Sequence, residues 1–151
     1  MIDISSFKAV LNSFSKRLYC LASNFQWADF KFASTLKLNI YLEQLLEPVL
    51  NPEIKEKLKL GLHEALVNSV SHGNSIDSSK YIRVRRIVTP NWFIWQIQDE
   101  GNGIPTDSRK SHLPINIQAI SGRGLFLIHH SFDDIRWNNK GNRIQLACKR
   151  N

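Results

Sequence analysis

Residues 5–22 place Phe7, Val10, Leu11, Phe14, Leu18 and Leu21 at steps of three and four. That spacing gathers apolar side chains along one stripe of a helix, which then needs a surface to cover it. From Asp29 to Leu38 the period changes to two, with Phe30, Phe32, Leu36 and Leu38 on one side and Lys31 and Lys37 on the other, the signature of a half-buried strand. Asn39 is positioned to cap a short helix carrying Leu42, Leu45, Leu46 and Val49. Asn51-Pro52-Glu53 then supplies a cap, a first-turn proline and a first-turn acid for a longer helix running to Gly73.

Two apolar strands follow, Tyr81–Val88 and Trp92–Asp99, joined at Thr89-Pro90-Asn91, where proline interrupts a strand and favours a turn. After Asp99 no periodic pattern resumes until Gly124. A gap of this kind is long for a plain connection in a compact domain and is read as a mobile functional loop, a lid. Gly124–Ser131 reads as a helix, and Ile135–Trp137 and Arg143–Cys148 as two closing strands. The order predicts an α/β two-layer sandwich, with helices on one face of a mixed, mostly antiparallel sheet.

Composition narrows the class. The 151 residues are 42% hydrophobic and 22% charged, which suits one globular domain rather than a disordered chain. The apolar runs are short and interrupted, and Met1-Ile2-Asp3-Ile4-Ser5 has neither a basic leader nor an apolar secretory core, so a cytoplasmic location without membrane contact is expected. Cys20 and Cys148 stand far apart without a CxxC pair, and both are expected to be reduced and buried. A formal charge of +7 raises the question of nucleic acid, but the basic residues are scattered along the chain, with Lys80, Arg83, Arg85 and Arg86 the densest group. Direct nucleic-acid binding is not expected, because surface charge usually serves solvation.

Three segments carry candidate chemistry. Glu64, Asn68 and His72 are spaced i, i+4 and i+8 and rise along one side of the long helix, while Leu62, Leu66 and Val70 occupy another. A carboxylate can take a proton from a nucleophile, and an amide oxygen one turn away can help hold Mg²⁺; the wet face of an ordinary amphipathic helix has the same look. Asp99-Glu100-Gly101-Asn102-Gly103-Ile104 follows an apolar strand, where a carboxylate can accept from an exocyclic amine and glycines admit close backbone approach; it is equally a turn leaving a strand. Ser121-Gly122-Arg123-Gly124-Leu125 opens a helix, so its N–H groups and Arg123 suit phosphate oxygens, though glycines also serve simple helix starts.

Other histidines and the tryptophans point elsewhere. His63-Glu64 begins like an HExxH zinc motif, but the second histidine position is Val67, which excludes that class. His129-His130 lies in the last turn of its helix, where it complements exposed carbonyls, and His112 lies in the lid. Trp27, Trp92, Trp95 and Trp137 fall mostly on strands and are assigned to packing rather than to a site.

Taken in order, Glu64-Ala65-Leu66-Val67-Asn68 with His72-Gly73-Asn74, then Asp99-Glu100-Gly101-Asn102-Gly103, then Gly122-Arg123-Gly124, resembles the three boxes of the GHKL ATPase family over residues 28–149. Gly124-Leu125-Phe126-Leu127-Ile128 followed by Phe132-Asp133-Asp134, with no appended phosphoacceptor-histidine domain, is most similar to its small anti-sigma-factor serine kinase branch. The resemblance implies ATP and Mg²⁺ as ligands, Glu64 as the base orienting an acceptor serine, Asn68 on Mg²⁺ and Asp99 on the adenine amine. It further implies His72, Asn74, Gly101, Gly103, Ile104, Gly122, Arg123, Gly124, Leu125 and Asn142 around the nucleotide. The implied partners are a sigma factor and an anti-anti-sigma protein phosphorylated on serine, with a homodimer as the assembly. Residues 1–27 would form an amphipathic helical extension and residues 28–151 the ATP-binding kinase domain. Two departures stand out. The lid, residues 105–121, offers Ser108-Arg109-Lys110 instead of the branch's phenylalanine-threonine-threonine run, and Gly141-Asn142-Arg143 has asparagine where relatives place threonine. A noncatalytic, nucleotide-responsive binding module is the alternative these departures suggest.

Overall fold

A computed structural model describes residues 25–109 and 123–150. The apolar stripe of residues 5–22, Cys20, Lys110, His112, Ser121 and Gly122 lie outside them. Five strands, β1 (Gln26–Ala33), β2 (Tyr81–Val88), β3 (Trp92–Gln98), β4 (Asp134–Trp137) and β5 (Arg143–Lys149), form one sheet in the order β1-β2-β3-β5-β4. The sheet is antiparallel at each pairing, rather than mixed. Three α-helices cover one face: α1 (Asn39–Leu46), α2 (Pro52–Asn68) and α3 (Arg123–Ser131). This is the two-layer α/β sandwich expected, and among the described residues no helix is long and apolar enough to cross a membrane.

Alternation decides which face the helices cover. Phe32, Ile82, Val84, Trp95, Ile97, Ile144 and Leu146 point into the layer between sheet and helices, meeting Leu42, Leu45, Leu46, Leu58, Leu62 and Leu66. Fully burying one such side chain contributes about 1.5–3 kcal/mol, so this layer is the main source of stability. Trp95, the largest of the fully buried side chains, satisfies its indole by donating from Nε1 to the Leu45 carbonyl at 3.1 Å and meets Phe132 edge-on. Cys148 is a free, buried thiol whose pKa is pushed up to about 11, by burial first and then by Asp133.

Local signals set most boundaries, with three differences. Asn51 accepts from the Glu53 and Ile54 amides at 3.0 and 3.2 Å, so the cap and first-turn proline start α2 as expected. Asn39, by contrast, is the first residue of α1; the preceding Leu38 is its N-cap, without a side-chain bond. Strand β1 runs from Gln26 to Ala33 and stops before Leu36 and Leu38, because its partner β2 begins at Tyr81 opposite Ala33 and only one further bond, from the Ser34 amide to the Lys80 carbonyl, extends the ladder. Leu36 is left exposed, whereas Leu38 enters the core ahead of α1. The third difference lies at the end of α2. The α-helix stops at Asn68 and a π-turn, Ser69–Gly73, completes the segment, with the Asn74 amide reaching back to the Ser69 carbonyl. Such wide turns are rare and are found disproportionately at functional sites.

Helices α2 and α3 pack at close range through Gly61. A Cβ added there would stand 2.7 Å from Phe132 Cε2 and 2.8 Å from Ser131 Oγ, so the glycine lets α3 and the following residues approach the α2 backbone. That approach carries the N-terminal end of α3 to the side of α2 bearing Glu64 and Asn68.

Candidate active site

A cavity of about 400 Å³ opens between the α2–π-turn segment, α3 and the end of β3. Its floor comes from the sheet, where Ile97, Trp137 and Ile144 present apolar surface, and Ile128 and Leu125 of α3 close one side. Asn68, Ser69, His72 and Gly73 form the opposite wall, while Gly103, Ile104, Pro105 and Ser108 bound the mouth. An apolar cleft carrying a few convergent polar groups has the general form of a small-molecule site.

At one end stands Asp99. Its Oδ1 accepts from the Gly101 amide at 2.8 Å, which turns the chain sharply out of β3. Burial, the largest influence, raises the carboxyl pKa above the ordinary 3.8, against the opposing effects of the Gly101 amide and Lys140. Gly73 packs directly on this carboxylate: a Cβ there would lie 2.7 Å from Asp99 Oδ1. Gly101 in turn packs on the Gly73 carbonyl, so a side chain at either glycine would have to displace backbone or the acid. Gly103 has a φ of +89°, a left-handed conformation that L side chains rarely adopt, and presses on the Lys140 carbonyl.

Asn74 and Asn142 brace this end. Asn74 is fully buried, donates to the Tyr81 carbonyl at 3.1 Å and accepts from the Glu100 amide at 2.9 Å. Asn142 donates to the Asp99 carbonyl at 3.2 Å and accepts from Asn138 at 2.9 Å. Both amides are committed to protein partners, and neither lines the cavity expected to hold the nucleotide. Their burial among backbone groups makes them supports of the loops that shape it.

The other end is built by α2 and α3. A Cβ on Gly124 would lie 2.9 Å from Glu64 Oε2, 3.5 Å from Asn68 Nδ2 and 3.6 Å from Asn68 Oδ1. A glycine at this position therefore lets the first turn of α3 meet both polar side chains. Glu64 stands just outside the cavity wall and keeps a quarter of its side chain exposed, with His63 Nδ1 at 3.5 Å. Arg123 is exposed and does not line the cavity, and Gly101 is buried in the Asp99 loop against Gly73, where it shapes the cavity end rather than lining it. Leu125, Gly124, Ile104, Gly103 and His72 all do line it, His72 at the exposed rim.

Two contributors escaped the sequence reading. Trp137, assigned only to packing, forms part of the cavity floor beside Ile144, its cross-strand partner. Arg109 donates from Nε to the Ile104 carbonyl at 2.9 Å, from Nη1 to Asn138 at 3.2 Å and from Nη2 to Asn139 at 3.1 Å. It thereby ties the segment after the glycine loop to the β4–β5 turn. A lone arginine in an irregular stretch carries no periodic signal, and nothing local marks it as a clamp.

Among the described residues no group of three or more His, Cys, Asp or Glu side chains converges as a metal cage. The donor set at the α2–α3 end, one carboxylate and one amide oxygen, instead suits Mg²⁺, which is commonly held by one or two protein oxygens together with substrate phosphates.

The fold and the cavity are those of an α/β domain with a small-molecule cleft, and the sequence profile of the histidine kinase-like ATPase domain matches residues 38–148: the chain belongs to that family. Among individual proteins it is similar to the serine-protein kinase RsbW of Listeria monocytogenes, 28% identical over 91 residues in serotype 4a and 29% in serovar 1/2a. The alignment covers 56% of this chain and 58% of each relative, so the chain spans less than two thirds of the length of these kinases.

Proposed function

We propose that the protein binds ATP with Mg²⁺ in this cavity and transfers the γ-phosphate to a serine of an anti-anti-sigma protein, regulating transcription through its hold on a sigma factor. The observation that carries the proposal is the meeting of Glu64, Asn68 and Gly124 beside one end of a cavity whose other end holds the half-buried Asp99. Adenine would lie at the Asp99 end, its exocyclic amine donating to the carboxylate and its ring against the apolar floor. The triphosphate would then run toward the first turn of α3, where helix N–H groups favour anions. Asn68 would supply an oxygen to Mg²⁺, whose contribution is to neutralise phosphate charge during transfer. Glu64 would accept the proton of the serine hydroxyl as its oxygen attacks the γ-phosphorus and ADP departs. Similarity to the Listeria kinases supports this chemistry.

The test is transfer of radiolabelled γ-phosphate from ATP-Mg²⁺ to a purified anti-anti-sigma protein, with a serine-to-alanine series on the acceptor. Labelling that disappears with one serine and requires Glu64 supports the reading. Tight ATP binding without transfer to any cognate acceptor would replace it with the noncatalytic binding module.

A further inference from the structure

The face of the sheet turned away from the helices carries the charge that is scattered in the sequence. Strand register places Lys31, Arg83, Gln98 and Arg143 side by side in one row across β1, β2, β3 and β5. The next row is Asp29, Arg85, Gln96, Gln145 and Arg136, and Lys149 lies opposite Trp92 further along. Arg86, the remaining member of the densest basic group on β2, points to the other side, donating to the Gln44 carbonyl and pairing with Glu47.

The two rows differ in how their charge is spent. In the second, Asp29 holds Arg85 through two hydrogen bonds, at 2.7 and 3.0 Å, and Asp134 holds Arg136 at 2.8 Å. In the first, among the described residues, Lys31, Arg83 and Arg143 have no carboxylate within ion-pair distance, and they border a trough of about 420 Å³ that also takes in Gln96, Gln98 and the Asp29–Arg85 pair, whose charges cancel. With strands about 4.8 Å apart, the row spans roughly 15 Å.

We propose that this trough is a docking surface for an acidic segment of a partner protein, whose carboxylates pair with Lys31, Arg83 and Arg143. Antiparallel sheets commonly leave one face to water, but a row of cations without counter-charges is complementary to a run of acids and repels its own kind. A second copy of the chain laid face to face would oppose cation to cation, so this face does not suit self-association. Single-stranded nucleic acid suits it less well than an acidic peptide, because bases need free aromatic platforms. Here the exposed rings of Tyr81 and Trp27 lie outside the trough and each already carries a cation on one face, Lys31 Nζ at 3.8 Å and Arg85 at 5.4 Å, while Gln96 and Gln98 line the trough itself. The cavity proposed for ATP opens on the helix side of the sheet, so this surface stands or falls independently of that function.

The test is fluorescence anisotropy on the full chain with a labelled oligo-glutamate peptide and, in parallel, a labelled single-stranded DNA of equal net charge. The expected result is peptide binding at low salt that weakens as salt rises and falls by on the order of tenfold in R83E/R143E. The same change of net charge in K37E/K57E, in the β1–α1 connection and on α2, should alter it less than about twofold. R83Q/R143Q removes the charges without reversing them and should give an intermediate loss, which separates lost docking from a misfolded variant. No peptide binding at low salt, or equal loss in the two reversal pairs, overturns the proposal. So does DNA binding tighter than the peptide and equally sensitive to R83E/R143E, which would assign the face to nucleic acid instead.

Discussion

The two ends of the cavity are made in opposite ways. At the Asp99 end the chain is packed until no side chain fits: Gly73 touches the acid, Gly101 touches Gly73, and Asn74 and Asn142 spend their amides on neighbouring backbone. At the Glu64 end two side chains project from successive turns of one helix toward a glycine on another, and the glutamate remains partly in water. A rigid end suits recognition, where buried polar groups discriminate by being costly to leave unpaired. An end made of side chains at a solvent boundary suits chemistry on a group that must arrive and leave. The proposed function therefore predicts that binding and transfer can be damaged separately.

The largest separation should come from Glu64→Gln. Removing the proton acceptor while keeping shape is expected to lower phosphate transfer by about 10²–10⁴-fold, with ATP affinity changed only a few-fold in calorimetry. Equal losses in both quantities would mean that Glu64 holds the nucleotide and that the division between the ends is wrong.

Asp99→Asn attacks the other end. Loss of a charged acceptor for the amine is expected to weaken ATP binding by roughly ten- to a hundredfold, from about 1.5–3 kcal/mol for a hydrogen bond to a charged group. Stability should move the other way. The Asp99 pKa is raised in the folded chain, so the folded protein keeps the proton to a higher pH than the unfolded chain does. The ionised carboxylate thus costs stability at neutral pH, and that cost fades as pH falls through the raised value. Asp99→Asn should melt no lower than the native protein at pH 7 while losing ATP, and native ATP affinity should begin to fall on acidification above the usual carboxylate range. A variant that both melts earlier and binds normally would remove Asp99 from the site.

Gly101→Ala tests whether the rigid end is rigid because it is packed. Its Cβ would run into the Gly73 carbonyl, so the loop must shift, at about 1–3 kcal/mol as for other overpacked positions. The expected outcome is a lower melting temperature together with weaker ATP binding, since the loop carries Asp99. Unchanged melting would show that the loop relaxes freely.

This contrast also separates what the sequence made legible from what it hid. The Glu64, Asn68, His72 spacing is a property of a single helix and could be counted along the chain, although the π-turn that begins at Ser69 had no periodic signature. The glycines of the Asp99 loop were legible as close-approach residues, but not what they approach. Gly101 meets Gly73 across 28 positions of sequence, a contact only the packed fold creates. Asn74 and Asn142 were legible as polar residues near the right segments, yet whether an amide faces a ligand or a carbonyl is decided by tertiary contacts. The basic row was hidden for the same reason: Lys31, Arg83 and Arg143 become neighbours only through strand order.

The smallest expected effect concerns the boundary between the two ends, at the mouth. Arg109 holds the Ile104 carbonyl and the carbonyls of Asn138 and Asn139, so one side chain joins the loop after Gly103 to the β4–β5 turn. Those bonds lie partly in water, and each contributes modestly, about 0.5–1.5 kcal/mol for a typical hydrogen bond and somewhat more from a charged donor. Ile104, Pro105 and Ser108 form the wall this clamp supports, and none of the three belongs to the Glu64 end. Arg109→Ala should therefore weaken ATP binding by a few-fold, chiefly through faster dissociation in stopped-flow measurements, while the single-turnover transfer rate from bound ATP stays near native. Arg109→Lys should recover little, because an ammonium cannot present the fork that spans three carbonyls. A transfer rate that fell with ATP already bound would show that the wall positions the phosphates as well as the base, and the two ends would then have to be treated as one unit.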